Sequence, residues 1–348
     1  RFVKSKPLTA GTTLKARGFD VDSESVVTLD YTVKGRENVD LLGKITPSIH
    51  VETTVTQSGS SIQTSEWLND ELETLKSASN VMGMHIETIA CEREYALQQN
   101  SPAEIFTASF IKSPRPLNKR MLSNGVAYLI SPTEEKKLIF PKSKEQKVDS
   151  VENSSDISIQ VKPLAMPSGA KMPYDGSDAE ILRFLNSNAW IQSENKAIVA
   201  LANQAVGSET APDKAASKIE KFVSSYISNR SLSVGYASAL EVLHSKQGDC
   251  TEFALLTAAL CRAVGIPARV VFGVVYVASE FEGHRHFFGG HAWTQVYIAD
   301  GWYSLDAAMG KFDAGHIAID TNDGEPSNFF RLISTMGYFD ISRVSALK

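Results

Sequence analysis

The chain has 348 residues, 43% of them hydrophobic and 22% charged, with a net charge of −5. This is the profile of a globular protein longer than one ordinary domain, so two domains are expected. A pI near 5.9 without any Lys/Arg cluster interleaved with aromatics argues against a nucleic-acid partner, and no apolar run is long enough for membrane insertion.

Residues 12–157 read mostly as strands. Residues 26–33 and 49–56 are rich in β-branched side chains, and Ser58-Gly59-Ser60 between Val55 and Ile62 predicts a hairpin. Residues 66–75 suit either a helix or a strand followed by a turn. Further β character falls at 104–111, 126–130, 137–140 and 157–161, and none of it carries a motif with chemistry attached. Proline, glycine and small residues then gather between Pro163 and Pro173, which predicts a boundary between a β-rich accessory domain, 1–165, and a second domain, 166–348.

Past that boundary the periodicity becomes helical. Ser193 is positioned to cap a helix reaching Val206. Pro212 opens another in which Ala215, Ile219, Phe222, Val223 and Tyr226 form one apolar stripe. Ser238 with Glu241, and Asp249 with Glu252, are two capping-box signatures, the second starting a helix at Cys250. Phe253, Leu256, Leu260 and Val264 carry that helix forward until Gly265 and Pro267 end it. Strands follow at 268–278, at 291–298 and, after the Asp300-Gly301 turn, at 302–305. Asp320 to Glu325 has the composition of a calcium loop but the wrong glycine and glutamate register, and reads as a turn.

Three residues in this half fit one chemistry. Cys250 stands in the first turn of its helix, where unpaired N–H groups and the helix dipole favour a thiolate and can hold an oxyanion; Asp249 next door opposes the first effect. His291, in Gly290-His291-Ala292-Trp293, supplies an imidazole that takes the thiol proton and returns it to a leaving amine. Asp306, in Ser304-Leu305-Asp306, supplies the carboxylate that fixes the imidazole tautomer. Cys261, among Phe253, Leu256 and Leu260, reads as an inert core residue. The count of three cysteines leaves a thiol free.

With Ala239-Leu240-Glu241-Val242-Leu243, Arg262-Ala263-Val264-Gly265-Ile266-Pro267-Ala268-Arg269 and Gly301-Trp302-Tyr303 added to those blocks, residues 236–306 resemble the transglutaminase-like superfamily, in particular its bacterial cysteine-protease type. The likeness extends weakly back to about Ser193 and forward through Gly315-His316-Ile317-Ala318. It implies an α+β fold: a papain-like core in which a helical layer packs on an antiparallel sheet, preceded by the β-rich domain. It also implies a second oxyanion donor upstream of the cysteine, for which Tyr236 and Gln247 are the candidates, Tyr236 preferred because Gln247 is so close to Cys250.

The expected activity is thiol-dependent hydrolysis of an amide in a peptide or protein substrate, with no cofactor. Transfer of the same acyl group to a lysine amine is the alternative, and a catalytically idle binding module a third reading. His284, His286 and His291 near Glu282 raise zinc as competing chemistry, but their spacing fits no helical zinc motif and no metal is expected. A first residue other than methionine, Arg1, fits loss of an upstream segment. Periplasmic or secreted localisation is therefore expected, cytoplasmic being the alternative.

Overall fold

Period-two alternation of apolar and polar side chains turns the N-terminal third into long strands. A computed structural model describes residues 8–20, 25–57, 60–81, 84–97, 110–134, 138–230, 236–281, 283–325 and 335–347. In its first part β1 (Thr13–Asp20), β2 (Ser25–Leu41), β3 (Lys44–Gln57), β4 (Ser60–Leu68), β5 (Thr74–Val81) and β6 (Met84–Ile89) form an antiparallel meander in that order. Val33 lies opposite Val51, and with Ile49 they make a small core capped by Leu8, Tyr31, Leu68 and Leu72. The β2–β3 connection, Leu42-Gly43, has both residues at positive φ, 58° and 92°. That matches the twist of a two-residue hairpin, for which glycine is suited. Residues 66–75 are a strand and turn, not a helix, closed by Asn69 and Glu73.

The second part is built around two antiparallel sheets. One has the order β15-β14-β13-β16, with β7 (Ile111–Lys112) also pairing with β14; its members are β13 (Ala268–Val277), β14 (Phe287–Ile298), β15 (Gly301–Leu305) and β16 (His316–Asn322). The other runs β17-β8-β10-β9, from β17 (Phe339–Ala346), β8 (Val126–Pro132), β10 (Ile157–Val161) and β9 (Gln146–Ser150). The helices of seven residues or more among the described residues are α1 (Lys196–Val206), α2 (Pro212–Tyr226), α3 (Ala239–Ser245) and α4 (Cys250–Ala263), and α4 packs on β13 and β14. A mixed α/β fold with a helical layer on an antiparallel sheet is thus present. In α4, Phe253, Leu256 and Leu260 are buried as their spacing predicts, but so are Ala254, Leu255, Ala258 and Ala259. The small residues on its other faces let neighbouring helices close around it.

Several boundaries differ from the sequence reading. The chain divides into Arg1–Ser109 with Phe329–Tyr338, and Phe110–Asn328 with Phe339–Lys348, so the division falls near residue 109 and not near 165. The reason lies in polar side chains that read as surface. Gln146 grips β16 from both ends of its amide, accepting from Ala318 N at 2.8 Å and donating to Ala318 O at 2.9 Å. Glu145 accepts from Ser304 N at 2.9 Å. These bonds, and the pairing of β10 with β8 and β9, join residues 138–161 to the second unit. Residues 138–140 are not a strand: Leu138 and Phe140 are buried while Ile139 is exposed, and Pro141 follows. Helix α1 starts after Asn195, whose side chain accepts from Ala197 N, while Ser193 is buried away from the helix start. In the stripe of α2, Ala215, Ile219 and Val223 are core, whereas Phe222 and Tyr226 are half-buried and stack on each other. The expected strand at 104–111 lies outside the described residues except for its end.

One glycine couples this frame to the site. Gly273 pairs with His291 across β13 and β14 and sits at a register shift against β16. A Cβ there would run into the Ile317 carbonyl oxygen and come within 2.8 Å of Trp293 Cη2. Gly273→Ala is expected to destabilise the protein by about 2–3 kcal/mol through this backbone clash. The urea midpoint checks it; an unchanged midpoint means that β16 gives way freely.

Candidate active site

Each of the three sequence-predicted residues is placed by a local rule. Helix α4 starts where its capping box dictates: Asp249 accepts from Thr251 N at 3.0 Å and Glu252 folds back to accept from Asp249 N at 2.9 Å. Gly248 is needed because Glu252 lies where its Cβ would be. The other oxygen of Glu252 accepts from Ala237 N at 3.0 Å, so one carboxylate fastens the 236–237 segment to the helix start. Cys250 is the first residue of α4 and half-buried, and its N–H has no intrahelical partner. Cys261 is fully buried, which pushes its thiol well above the ordinary range; Cys91 is exposed.

His291 is carried by β14 and Asp306 directly follows β15. The imidazole Nε2 lies 2.8 Å from Asp306 Oδ2, and the Cys250 thiol is near enough to the same ring to raise its basicity. With Nε2 taken by the carboxylate, Nδ1 is the nitrogen left for the sulfur. Both His291 and Asp306 are buried. Burial alone would lower the basicity of His291, but the charge and hydrogen bond of Asp306, aided by Cys250, outweigh it and push the ring up to about 10. Burial likewise opposes ionisation of Asp306, yet the histidines bonded to it hold it well below the usual carboxylate range.

Asp306 is held at both carboxylate oxygens and at its N–H. Its Oδ1 accepts from Ala308 N at 2.9 Å and Met309 N at 3.0 Å. Its own N–H donates to Glu220 Oε1 at 2.7 Å. Its Oδ2 takes a second imidazole, His316 Nε2, at 2.9 Å. Two of these partners, Glu220 and His316, and also Glu145, which accepts from Ser304 N, are not singled out by the sequence. His316 lies in the weak forward extension of the resemblance, and no motif marks either glutamate.

The oxyanion candidates separate. The Tyr236 hydroxyl donates to Gly324 O at 2.8 Å and its ring packs edge-on against Trp190, so its proton is committed elsewhere and the preference for it is corrected. Gln247 is half-buried in a two-residue bridge with Asn229, and its side chain has no hydrogen bond among the described residues.

The zinc alternative is not assembled as expected. His286 Nδ1 bonds the Tyr276 hydroxyl at 2.6 Å, and His284 packs on Phe110 and Phe287; Glu282 lies outside the described residues. The group of possible metal donors among the described residues is instead His291, Asp306 and His316, within 4.8 Å of one another. Its centre is filled by Asp306 Oδ2, at hydrogen-bond distance from both Nε2 atoms, which suits protons shared between the rings and the carboxylate.

Residues 199–307 match the family model described as the transglutaminase-like superfamily. An uncharacterized protein of Mycobacterium leprae (strain TN) is 35% identical over 77 residues, 20% of this chain and 25% of that protein. The chain thus spans about a quarter of the curated relative it matches. Among solved structures, a proposed cysteine protease from Cytophaga hutchinsonii is similar at 16% identity and a TM-score of 0.39, covering 65% of this chain and 84% of that one. The periplasmic domain of TgpA from Pseudomonas aeruginosa is similar at 19% identity and a TM-score of 0.37, covering 58% and 73%. No helix among the described residues is long and apolar enough to cross a membrane.

Proposed function

We propose that this chain, whose residues 199–307 form a transglutaminase-like domain, is a thiol-dependent amide hydrolase acting on peptide or protein substrates, a cysteine peptidase by reaction class. The observation that carries the reading is a buried ring, His291, with Asp306 Oδ2 on its Nε2 at 2.8 Å and the helix-start residue Cys250 near enough to raise its basicity. In the reaction His291 accepts the thiol proton and the Cys250 sulfur forms a bond to the amide carbonyl carbon. The resulting oxyanion meets the Cys250 N–H, and Gln247 is the remaining candidate for a second donor. His291 then gives its proton to the amine as the C–N bond breaks, leaving a thioester on Cys250. Water, losing a proton to His291, attacks that carbonyl; the C–S bond breaks, the acid leaves and the thiol recovers its proton.

The match of residues 199–307 to the transglutaminase-like family supports a second reading, in which a lysine amine takes the place of water. Ammonia released from glutamine together with a new isopeptide bond marks that outcome, and cleavage of a peptide backbone marks hydrolysis. An idle binding module gives no account of a half-buried thiol at a helix start near a buried His291–Asp306 pair.

The deciding experiment is iodoacetamide labelling of each cysteine, read by mass spectrometry at neutral pH. Cys250 is expected to label fastest, and about a hundredfold more slowly in His291→Ala, the scale of general-base assistance. Cys261 is expected to stay unlabelled in the folded protein because it is fully buried. Labelling of Cys250 at the rate of exposed Cys91, indifferent to His291→Ala, would remove the nucleophile from the proposal.

A further inference from the structure

Asp306 has two imidazoles on one oxygen, and the reaction as written uses only one of them. His316, on β16, is 2% exposed, so its hydrogen bonds are made within the protein. Its Nε2 faces Asp306 Oδ2 at 2.9 Å. Its Nδ1 faces the backbone carbonyl of Asp313 at 3.0 Å and Asp313 Oδ1 at 3.2 Å. The Asp313 N–H also donates toward Nδ1, from 3.4 Å, a longer and weaker contact than either oxygen makes. A carbonyl oxygen has no proton to give, so Nδ1 must carry one; the ionised Asp306 requires one on Nε2 as well. A ring with protons on both nitrogens is an imidazolium.

We propose that His316 is a standing imidazolium that neutralises Asp306, and that it is a positioning residue which keeps His291 able to surrender its proton to the leaving amine. The inference rests on the assignment of Cys250 and His291 above. A carboxylate with no other counter-charge would hold the His291 proton too tightly for general-acid work. With His316 charged, Asp306, His316, His291 and the Cys250 thiolate sum to zero in a buried site. The ionisable groups facing His316 are Asp306 and His291 across the sheet and Asp313 on its own approach, with Glu145 within electrostatic reach from the loop before β9. The carboxylates outnumber His291 and favour the charged ring; burial and His291 oppose it, and the balance is upward.

Two measurements test this on the full chain. The first is a long-range proton–nitrogen spectrum of protein labelled with nitrogen-15 histidine, the His316 signals being identified by their loss in His316→Gln. Both ring nitrogens of His316 are expected to be protonated at pH 8; one unprotonated nitrogen there overturns the proposal without any variant having to fold. The second is the pH profile of Cys250 carboxymethylation by iodoacetate, an anion whose attack is helped by the His291 imidazolium and which therefore slows as that ring loses its proton. In His316→Gln, which keeps an N–H for Asp306 but not the charge, the alkaline limb is expected to move up by about one pH unit. A purely structural role lowers the rate at every pH and leaves the limb in place, which also overturns the proposal. If the wild type itself has no alkaline limb at Cys250, the Cys250–His291 assignment has failed and the tuning role falls with it, whereas a limb that is present but unmoved by His316→Gln refutes His316 alone.

Discussion

Asp306→Asn is expected to lower turnover by about 10³–10⁴-fold while leaving the fold intact. The backbone around this residue dictates how the amide must sit. Ala308 N and Met309 N both donate to Oδ1, so the asparagine carbonyl oxygen stays there and the NH₂ group takes the place of Oδ2. It then presents donors to His291 Nε2 and His316 Nε2, which now have to accept. A neutral His291 that accepts at Nε2 carries its proton on Nδ1, the nitrogen left for Cys250, and cannot take the thiol proton. The magnitude is that of a wrong tautomer at a triad histidine. Steady-state hydrolysis of a cleaved peptide, compared at matched thermal stability, measures it. A loss under tenfold means that Asp306 does not orient the base.

The same residue illustrates how far a sequence carries. Cys250, His291 and Asp306 were legible because each stands in a local pattern with a physical meaning: a capping box, an alternating strand, the end of a strand after a tight turn. Local signals also placed α2, α3 and α4, where Pro212, the Ser238–Glu241 box and the Asp249–Glu252 box act within a few residues of themselves. What stayed unread depends on contacts between distant segments. Glu220 and Asp306 are separated by 86 positions and Glu145 and Ser304 by 159; nothing near either glutamate distinguishes it from a solvated side chain. Tyr236 ranks ahead of Gln247 as an oxyanion candidate in the sequence for the same reason, since the carbonyl that takes its hydroxyl belongs to Gly324, 88 positions away. The domain division failed on composition. Residues 163–173 have the residue types of a linker, yet Tyr174 N bonds Gly265 O and Lys162 N bonds Glu145 O, so the stretch is sewn into the second unit.

The buried carboxyls lead to a second large effect: the protein is expected to be most stable near pH 5 and to lose stability steadily toward pH 8. Glu145, Glu220 and Glu252 are each pushed up to about 7 from an ordinary 4.5, in every case chiefly by burial, with hydrogen bonds from Ser304, Asp306, Ala237 and Asp249 backbone groups offsetting only part of it. Between those two values the folded chain keeps protons that the unfolded chain has released. Stability therefore falls as pH rises through this window, by about 3 kcal/mol per fully shifted group. His291 acts in the same direction at higher pH: its contribution is complete below about 6.5 and disappears as pH climbs through about 10. Asp306, held low, acts oppositely, contributing above about 4 and fading as pH falls below it. The summed slope places the melting temperature at pH 8 about 10 °C or more below that at pH 5. Glu220→Gln isolates one share, because the amide oxygen still accepts from Asp306 N but the group cannot ionise. Its melting temperature is expected to exceed wild type at pH 8, match it near pH 5 and flatten the profile by about a third. A wild-type melting temperature that is higher at pH 8 than at pH 5 means that these carboxyls ionise freely in the folded protein, and that Asp306 is then fastened from beneath by a charged Glu220 at the pH of the reaction.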